Sequence, residues 1–228
     1  MKIFVTTCDK FDRILKGFTY MFNKHWSSDA EVTILGYGAP SFSLPDNFKF
    51  ISLAKQQKDW TSALIPFFKQ LSDEYFGLML DDYYVLSVNK LLLHEAEEYM
   101  AEGVEKISLK SSKYWQNRDG FLGKNVNFNI AKQDFKHRLA ICPQFVRRDY
   151  FLKYLKPGKT IWQYETQFGA TKNDGAQILA PKQDLLISAQ VVSRGKISKQ
   201  EEILRIKKED LDAMRQLGVS DFNPRGAI

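Results

Sequence analysis

The stretch Tyr75-Phe76-Gly77-Leu78-Met79-Leu80-Asp81-Asp82-Tyr83-Tyr84 decides how the rest of the chain reads. Its first part is an unbroken apolar run, short enough for a strand covered on both faces and too short for a typical helix. It ends abruptly in two carboxylates followed by two aromatics. Adjacent acids at a strand end suit a hard divalent cation such as Mg²⁺ or Mn²⁺, which prefers oxygen ligands and shares its remaining positions with phosphates and water. The same pair also reads as a turn that caps the following segment.

Upstream of this run the chain alternates between two periods. Lys2-Ile3-Phe4-Val5-Thr6 is β-rich and stops at the polar cluster Thr6-Thr7-Cys8-Asp9, and Phe11, Ile14, Leu15, Phe18, Met21 and Phe22 then share one helical face. Glu31 to Leu35 predicts a second strand and Phe48 to Leu53 a third, separated by turn residues around Pro40, Pro45 and Asp46. Trp60, Leu64, Phe67, Phe68 and Leu71 have helical spacing. Downstream, Leu91 to Met100 predicts a helix and Val104 to Leu109 a strand. This repeated βα pattern predicts an α/β domain with a largely parallel, doubly wound sheet, whose ligands bind at strand C-terminal ends.

The later half is less regular. Residues 111–132 show little periodicity, which predicts long loops or a short antiparallel excursion, with Tyr114, Trp115, Phe121 and Phe128 as buried rings or an acceptor platform. His137 to Pro143 predicts a strand, Arg148 to Leu155 a short helix closed by Pro157-Gly158, Ile161 to Phe168 another helix, and Leu185 to Val192 the last strand. Ile203, Ile206, Leu211, Met214 and Leu217 predict a charged C-terminal helix, broken near Lys208, that packs against the domain.

A hydrophobic share of 44%, with 17 Phe, 10 Tyr and 4 Trp, is enough for a core and excludes a disordered chain. The net charge of +6 favours anionic partners, but Lys and Arg are scattered, with Arg147-Arg148 and Lys207-Lys208 the densest runs, so no nucleic-acid partner is expected. Cys8 and Cys142 have no zinc spacing and fit a reducing compartment. Without a signal-like apolar start or a membrane-length run, the expectation is a cytoplasmic protein, with peripheral membrane contact left open.

With the apolar run, the acid pair and the aromatic pair in the middle of an α/β chain, the sequence resembles glycosyltransferases of the GT-A fold, in particular small bacterial and phage-type enzymes. Their metal motif is written Asp-any-Asp, and Leu80-Asp81-Asp82 fits a variant ending in two acids. The resemblance implies a Rossmann-like nucleotide-diphospho-sugar transferase fold, with helices on both faces of a mostly parallel sheet. It implies one domain over residues 1–228, with a nucleotide-sugar-binding half at 1–110, an acceptor half at 111–196 and a C-terminal helical segment at 197–228. It assigns Asp82 to Mn²⁺ or Mg²⁺, and Asp81 to ribose, sugar or metal-bound water, so that Asp81 serves both metal and donor. The donor is a UDP- or GDP-sugar, and the acceptor a hydroxyl of a glycan or glycolipid.

Two further segments match. Lys156-Pro157-Gly158-Lys159-Thr160-Ile161-Trp162-Gln163-Tyr164-Glu165 looks like the acceptor-side segment of inverting enzymes, with Glu165 as the base that takes the acceptor proton and Trp162 available to stack on a sugar. Glu165 reads equally as an acid in a first helical turn, favoured by the helix dipole, and a retaining enzyme could carry it for acceptor binding. Gln190-Val191-Val192-Ser193-Arg194-Gly195-Lys196 is similar to the late strand and turn of these transferases, where Arg194 and Lys196 would offset diphosphate charge. A basic hairpin turn is the plainer reading. By the same resemblance Thr7 and Asp9 face the nucleotide, unless Asp9 caps the first helix, and Trp60, Thr61 and Ser62 open a helix that contacts it. The sequence departs from the family in one respect, since none of His25, His94 or His137 follows the last strand as a further metal ligand. A nucleotidyltransferase and a non-catalytic binding module for glycan or nucleic acid are the alternatives. The first lacks a Gly-rich phosphate loop after Thr6.

Overall fold

A computed structural model describes residues 1–53, 59–114, 120–167, 171–193, 196–197 and 200–219. The strands are β1 (Ile3–Thr6), β2 (Val32–Gly36), β3 (Phe48–Ser52), β4 (Tyr75–Leu80), β5 (Tyr83–Val88), β6 (Lys106–Ser108), β7 (Phe121–Gly123), β8 (Phe128–Ala131), β9 (Gln144–Arg147), β10 (Ile178–Pro181) and β11 (Leu186–Gln190), which is not the last, since the short pair β12 (Val192–Ser193) and β13 (Lys196–Ile197) follows it. The helices that matter for the site are α1 (Asp12–His25), α2 (Thr61–Gln70), α3 (Lys90–Ala101), α4 (Arg148–Tyr154) and α5 (Ile161–Glu165). The main sheet has nine strands in the order β3-β2-β1-β4-β9-β6-β10-β8-β7. Neighbours from β3 to β4 are parallel; β9 runs against β4 and β6, β8 runs against β10 and β7, and the remaining strands point one way.

Strand alternation builds a core on each face. Ile3, Val5, Ile34, Met79, Phe145 and Ile107 point to one side, where α1 and α3 cover them with Phe18, Phe22, Leu93 and Met100. Phe4, Leu35, Phe76, Leu78 and Val146 point to the other, where α2, α4 and α5 contribute Phe68, Phe151 and Tyr164. A strand covered on both faces must be apolar throughout, which is why β4 reads as a continuous run. The ring of Phe4 meets those of Phe67, Phe68 and Phe76 edge to face at 5.3–5.6 Å, the geometry that the aromatic quadrupole favours.

Several expectations shift. The segment 137–143 is not a strand: β9 begins at Gln144, because it is central between β4 and β6 and Pro143 cannot donate to a ladder. The aromatic pair after the acids belongs to β5, which pairs antiparallel with β11 in a small sheet of its own. The excursion at 111–132 contains the antiparallel pair β7–β8. The C-terminal segment is broken as predicted, into helices Gln200–Ile203 and Lys208–Gln216. The second of these docks on α1 through Asp210, which is 1% exposed, accepts from Lys24 Nζ at 2.6 Å and lies 3.1 Å from His25 Nε2. Among the described residues no helix is long and apolar enough to cross a membrane.

One close approach sets the distance between α1 and β5. Tyr84, fully buried, donates its hydroxyl to the Ile14 carbonyl at 2.8 Å and lies across Gly17, where an added Cβ would sit 2.1 Å from the Tyr84 oxygen. Replacing Gly17 with Ala should therefore cost about 1–3 kcal/mol of stability by overpacking, measured as a lower urea midpoint, and Tyr84→Phe in the same background should recover only part of it.

Candidate active site

At Leu80 the run of β4 ends, paired with Thr6 of β1. The backbone then turns into β5, and both carboxylates remain in the turn, at the C-terminal end of the parallel strands. Asp81 is 7% exposed and accepts a short hydrogen bond from the Thr7 hydroxyl at 2.5 Å, so the loop after β1 holds the first acid in place. Asp82 Oδ2 accepts from Gln190 Nε2 at 3.3 Å, and its carbonyl accepts from Val191 N at 2.8 Å, so the end of β11 holds the second. Asp82 Oδ1 is buried and has no hydrogen-bond partner among the described residues. A buried carboxylate oxygen left in this state is costly, and a cation or a ligand hydroxyl would relieve it.

Burial pushes both carboxyls up. Asp81 rises to about 8, with the Thr7 bond opposing the rise and the neighbouring Asp82 adding to it. Asp82 rises to about 7, opposed by Gln190 and raised further by the charge of Glu165. That last effect brings Glu165 into the same electrostatic site across a large gap in sequence.

Thr160 and Gln163 form a capping box that starts α5 at Ile161. Glu165 is therefore the last residue of α5 and not in its first turn. The helix dipole disfavours an acid at that end, so dipole stabilisation does not explain it. Its position is explained instead by Oε1, which accepts from Ile141 N at 2.6 Å, with burial pushing the carboxyl up and Ile141 and Lys106 opposing that rise. Trp162, on the same short helix, is 51% exposed.

The remaining sequence-predicted residues fall in two groups. Asp9 lies in a short 3₁₀ turn and accepts from Gly38 N at 2.8 Å, tying the loop after β1 to the one after β2; the pull is toward Gly38, not toward α1. Trp60 packs its ring against Phe151 and Tyr164, and Ser62 Oγ accepts from Gly158 N at 2.9 Å, so both link α2 to the segment carrying Glu165. Arg194 and Gly195 lie outside the described residues. Of Lys196, only the backbone is described, in a short strand with Ile197 that pairs with Val192–Ser193. His25 faces Asp210, His94 faces Glu98 on the surface of α3, and His137 lies before β9, so none joins the acid pair.

Reading the sequence missed Gln190 as a partner of Asp82 and Lys106 as a buried neighbour of Glu165. Both carry a signal in hindsight: a polar residue closing an apolar strand, and a lysine at a core-facing position of Lys106-Ile107-Ser108. No group of three or more His, Cys, Asp or Glu among the described residues is arranged to hold a metal alone. The acid pair still fits a hard cation, because Mg²⁺ and Mn²⁺ commonly take one or two carboxylates and complete their shell with phosphate and water.

No protein-family model and no curated protein matches the chain. Solved structures do match. S. aureus TarS residues 1–349 aligns over 98% of this chain and 66% of its own with TM-score 0.53 and 13% identity; in complex with UDP-GlcNAc it aligns over 81% and 56%, with TM-score 0.54 and 14% identity. The mannosyltransferase PcManGT from Pyrobaculum calidifontis, in complex with GDP-Man and Mn²⁺, aligns over 96% and 68% with TM-score 0.56 and 11% identity. This is the GT-A fold. The GT-A chain thus spans about two thirds or less of the two TarS structures it matches. A UDP-glucose pyrophosphorylase complexed with UDP-glucose matches over 95% and 98%, with TM-score 0.55 and 13% identity, so the GT-A architecture alone is common to more than one nucleotide-sugar chemistry.

The raised carboxyls make a signed prediction about stability. Their folded-state values lie above the usual carboxylate range, so the folded state binds protons that the unfolded state has released, and stability is lost as pH rises through about 7 to 8. The Asp82→Asn variant removes one of these groups. It should melt within a degree or so of wild type near about pH 4 and progressively above it as pH rises to about 8, and Mn²⁺ should raise the melting temperature of wild type alone, most at the higher pH.

Proposed function

We propose that this chain is a metal-dependent glycosyltransferase that moves a sugar from a UDP- or GDP-sugar to a hydroxyl of a glycan or glycolipid, with inversion at the anomeric carbon. The observation that carries the reading is Asp82 Oδ1, buried without a partner among the described residues, at the end of β4 beside a second carboxylate. Asp82, with Asp81, would hold Mn²⁺ or Mg²⁺; the ion, when bound, would supply charge for the departing nucleoside diphosphate.

The chain's own residues account for the rest. Thr7 orients Asp81, and Gln190 orients Asp82, so that two acids share one small volume. Thr7 and Asp9 sit on the loop that follows β1, where a doubly wound sheet receives its nucleotide, and Trp60 and Ser62 are the residues proposed to border it from the start of α2. Arg194 and Lys196 are the basic groups proposed for the diphosphate. Glu165 takes the proton of the acceptor hydroxyl as that oxygen attacks the anomeric carbon; the Ile141 N–H holds Oε1, and Oε2 receives the proton. Burial supports this role, because a base with a raised pKa accepts a proton more readily near neutral pH. Trp162 offers an exposed indole beside the base for an acceptor sugar.

The pyrophosphorylase match favours one second reading, a nucleotidyltransferase. Against it stands the loop Thr6-Thr7-Cys8-Asp9, which is not Gly-rich and whose Thr7 hydroxyl is engaged by Asp81. Product analysis separates the two. Incubation with UDP-glucose, UDP-GlcNAc or GDP-mannose and Mn²⁺ should release nucleoside diphosphate and free sugar by slow hydrolysis, whereas a nucleotidyltransferase given pyrophosphate would return nucleoside triphosphate. Asp82→Asn should abolish the Mn²⁺-dependent thermal shift with nucleotide and reduce turnover by about 10²-fold or more. Glu165→Gln should lose turnover to a similar extent while keeping that shift; equal loss of donor affinity would make Glu165 structural.

A further inference from the structure

Lys106 is a charged residue in a place built for apolar ones. It lies on β6 at 4% exposure, on the face of the sheet covered by α2, α4 and α5, where its register partners are Val146 and Ile178. Its ammonium donates to two backbone carbonyls, Arg138 O at 3.0 Å and Ala140 O at 2.7 Å. The next residue after that second carbonyl is Ile141, whose N–H is the one that holds Glu165. Arg138 anchors the same segment from its other side: its side chain, fully buried, donates to Lys132 O at 3.1 Å, to Ala176 O at 2.9 Å and to Asp174 Oδ1 at 2.6 Å. The backbone from Arg138 to Ile141 is thus clamped by two buried cations, of which Lys106 holds the Ala140–Ile141 peptide whose N–H meets Glu165.

We propose that Lys106 is the positioning residue for the general base: by holding the carbonyls of Arg138 and Ala140 it aims the Ile141 N–H at Glu165 and fixes the direction of the carboxylate. An apolar residue of similar length would fill the space but leave two buried carbonyls without a donor, and the segment would turn to find other partners. Lys106 touches no reacting atom in this account. Its charge acts on the base as well, since it opposes the rise that burial imposes on Glu165, while burial lowers Lys106 itself to about 8 and Cys142 and Glu165 counter that fall. Among the described residues, the charged or titratable groups that interact electrostatically with Glu165 are Lys106, Asp82, Cys142 and Tyr164, and Arg138 acts on Lys106.

This inference rests on the reading of Glu165 as the base, and its test separates the two. Lys106→Met removes both the charge and the donors; Lys106→Gln removes the charge but keeps N–H donors, on a slightly shorter side chain. In the Met variant, exchange of the Ile141 amide with deuterated water should speed up by about tenfold or more, with the amides of β1 unchanged. The Glu165 carboxyl, followed by carbon-13 NMR and assigned by its loss in Glu165→Gln, should titrate at higher pH in both variants. The Gln variant should recover amide protection but not the wild-type titration, and it carries the test should the Met variant not fold. Hydrolysis of UDP-glucose, UDP-GlcNAc or GDP-mannose with Mn²⁺ should slow by about 10-fold to 100-fold in the Met variant, with its acid limb moved to higher pH and the Mn²⁺-dependent thermal shift with UDP or GDP unchanged. Wild-type exchange at Ile141 and wild-type titration of Glu165 in both variants would overturn the proposal. Full hydrolysis by Glu165→Gln would instead overturn the base reading and leave the exchange result standing.

Discussion

Everything at the proposed site depends on β4 running out of sheet. The strand pairs with β9 from Tyr75 to Leu78 and with β1 from Gly77 to Leu80, and its residues Phe76 to Met79 are buried and carry no polar side chain. One residue later the ladder with β1 stops, and Asp81 and Asp82 enter the gap between the two sheets. Burial strips water from the two carboxylates and pushes both of them up. Among the described residues the pair is held by hydroxyl and amide donors, from Thr7 and Gln190. A neutral cradle leaves the negative charge available to a cation.

The opposite wall of the site is assembled by aromatic packing and buried cations. Trp60, Phe151 and Tyr164 meet edge to face or tilted at 5.6–6.2 Å, joining the start of α2, the middle of α4 and the turn of helix that ends in Glu165. A helix of five residues has little stability of its own, so its direction comes from this packing and from its capping box. The lysine and arginine clamps on the segment before β9 then determine where the Ile141 N–H points. The two carboxylate groups of the site therefore belong to different mechanical units, one tied to the β1 and β11 ends and one to the second core.

Much of this architecture is legible in the residues. The βα alternation, the capping signature Thr160-Ile161-Trp162-Gln163 and the break at Asp81-Asp82 all come from local physics, whether strand alternation, an orphan helix donor or the cost of burying an acid in a strand. Other elements are not legible because their cause is distant. Tyr83 to Val88 is assigned no element from the sequence, and becomes β5 because β11, more than ninety residues on, supplies its partner. The segment 137–143 has the apolar content of a strand, yet β9 starts at Gln144, since only a central position between β4 and β6 excludes Pro143 from the ladder. Lys106 is not singled out in the sequence, and its role follows only once the carbonyls of Arg138 and Ala140 are brought to it.

The sequence by itself determined the class of fold, the buried character of β4, and the placing of an acid pair at its end, because period and charge act over a few residues. Tertiary structure alone decided that Thr7 meets Asp81, that Glu165 closes a helix and shares an electric field with Asp82, and that a buried lysine stands behind it. Those pairings join residues whose separation along the chain is 74 for the first hydrogen bond and 108 for that between Gln190 and Asp82. Contacts over such spans are chosen by which faces can be desolvated together, a property of the assembled sheet and its two cores that no local window contains.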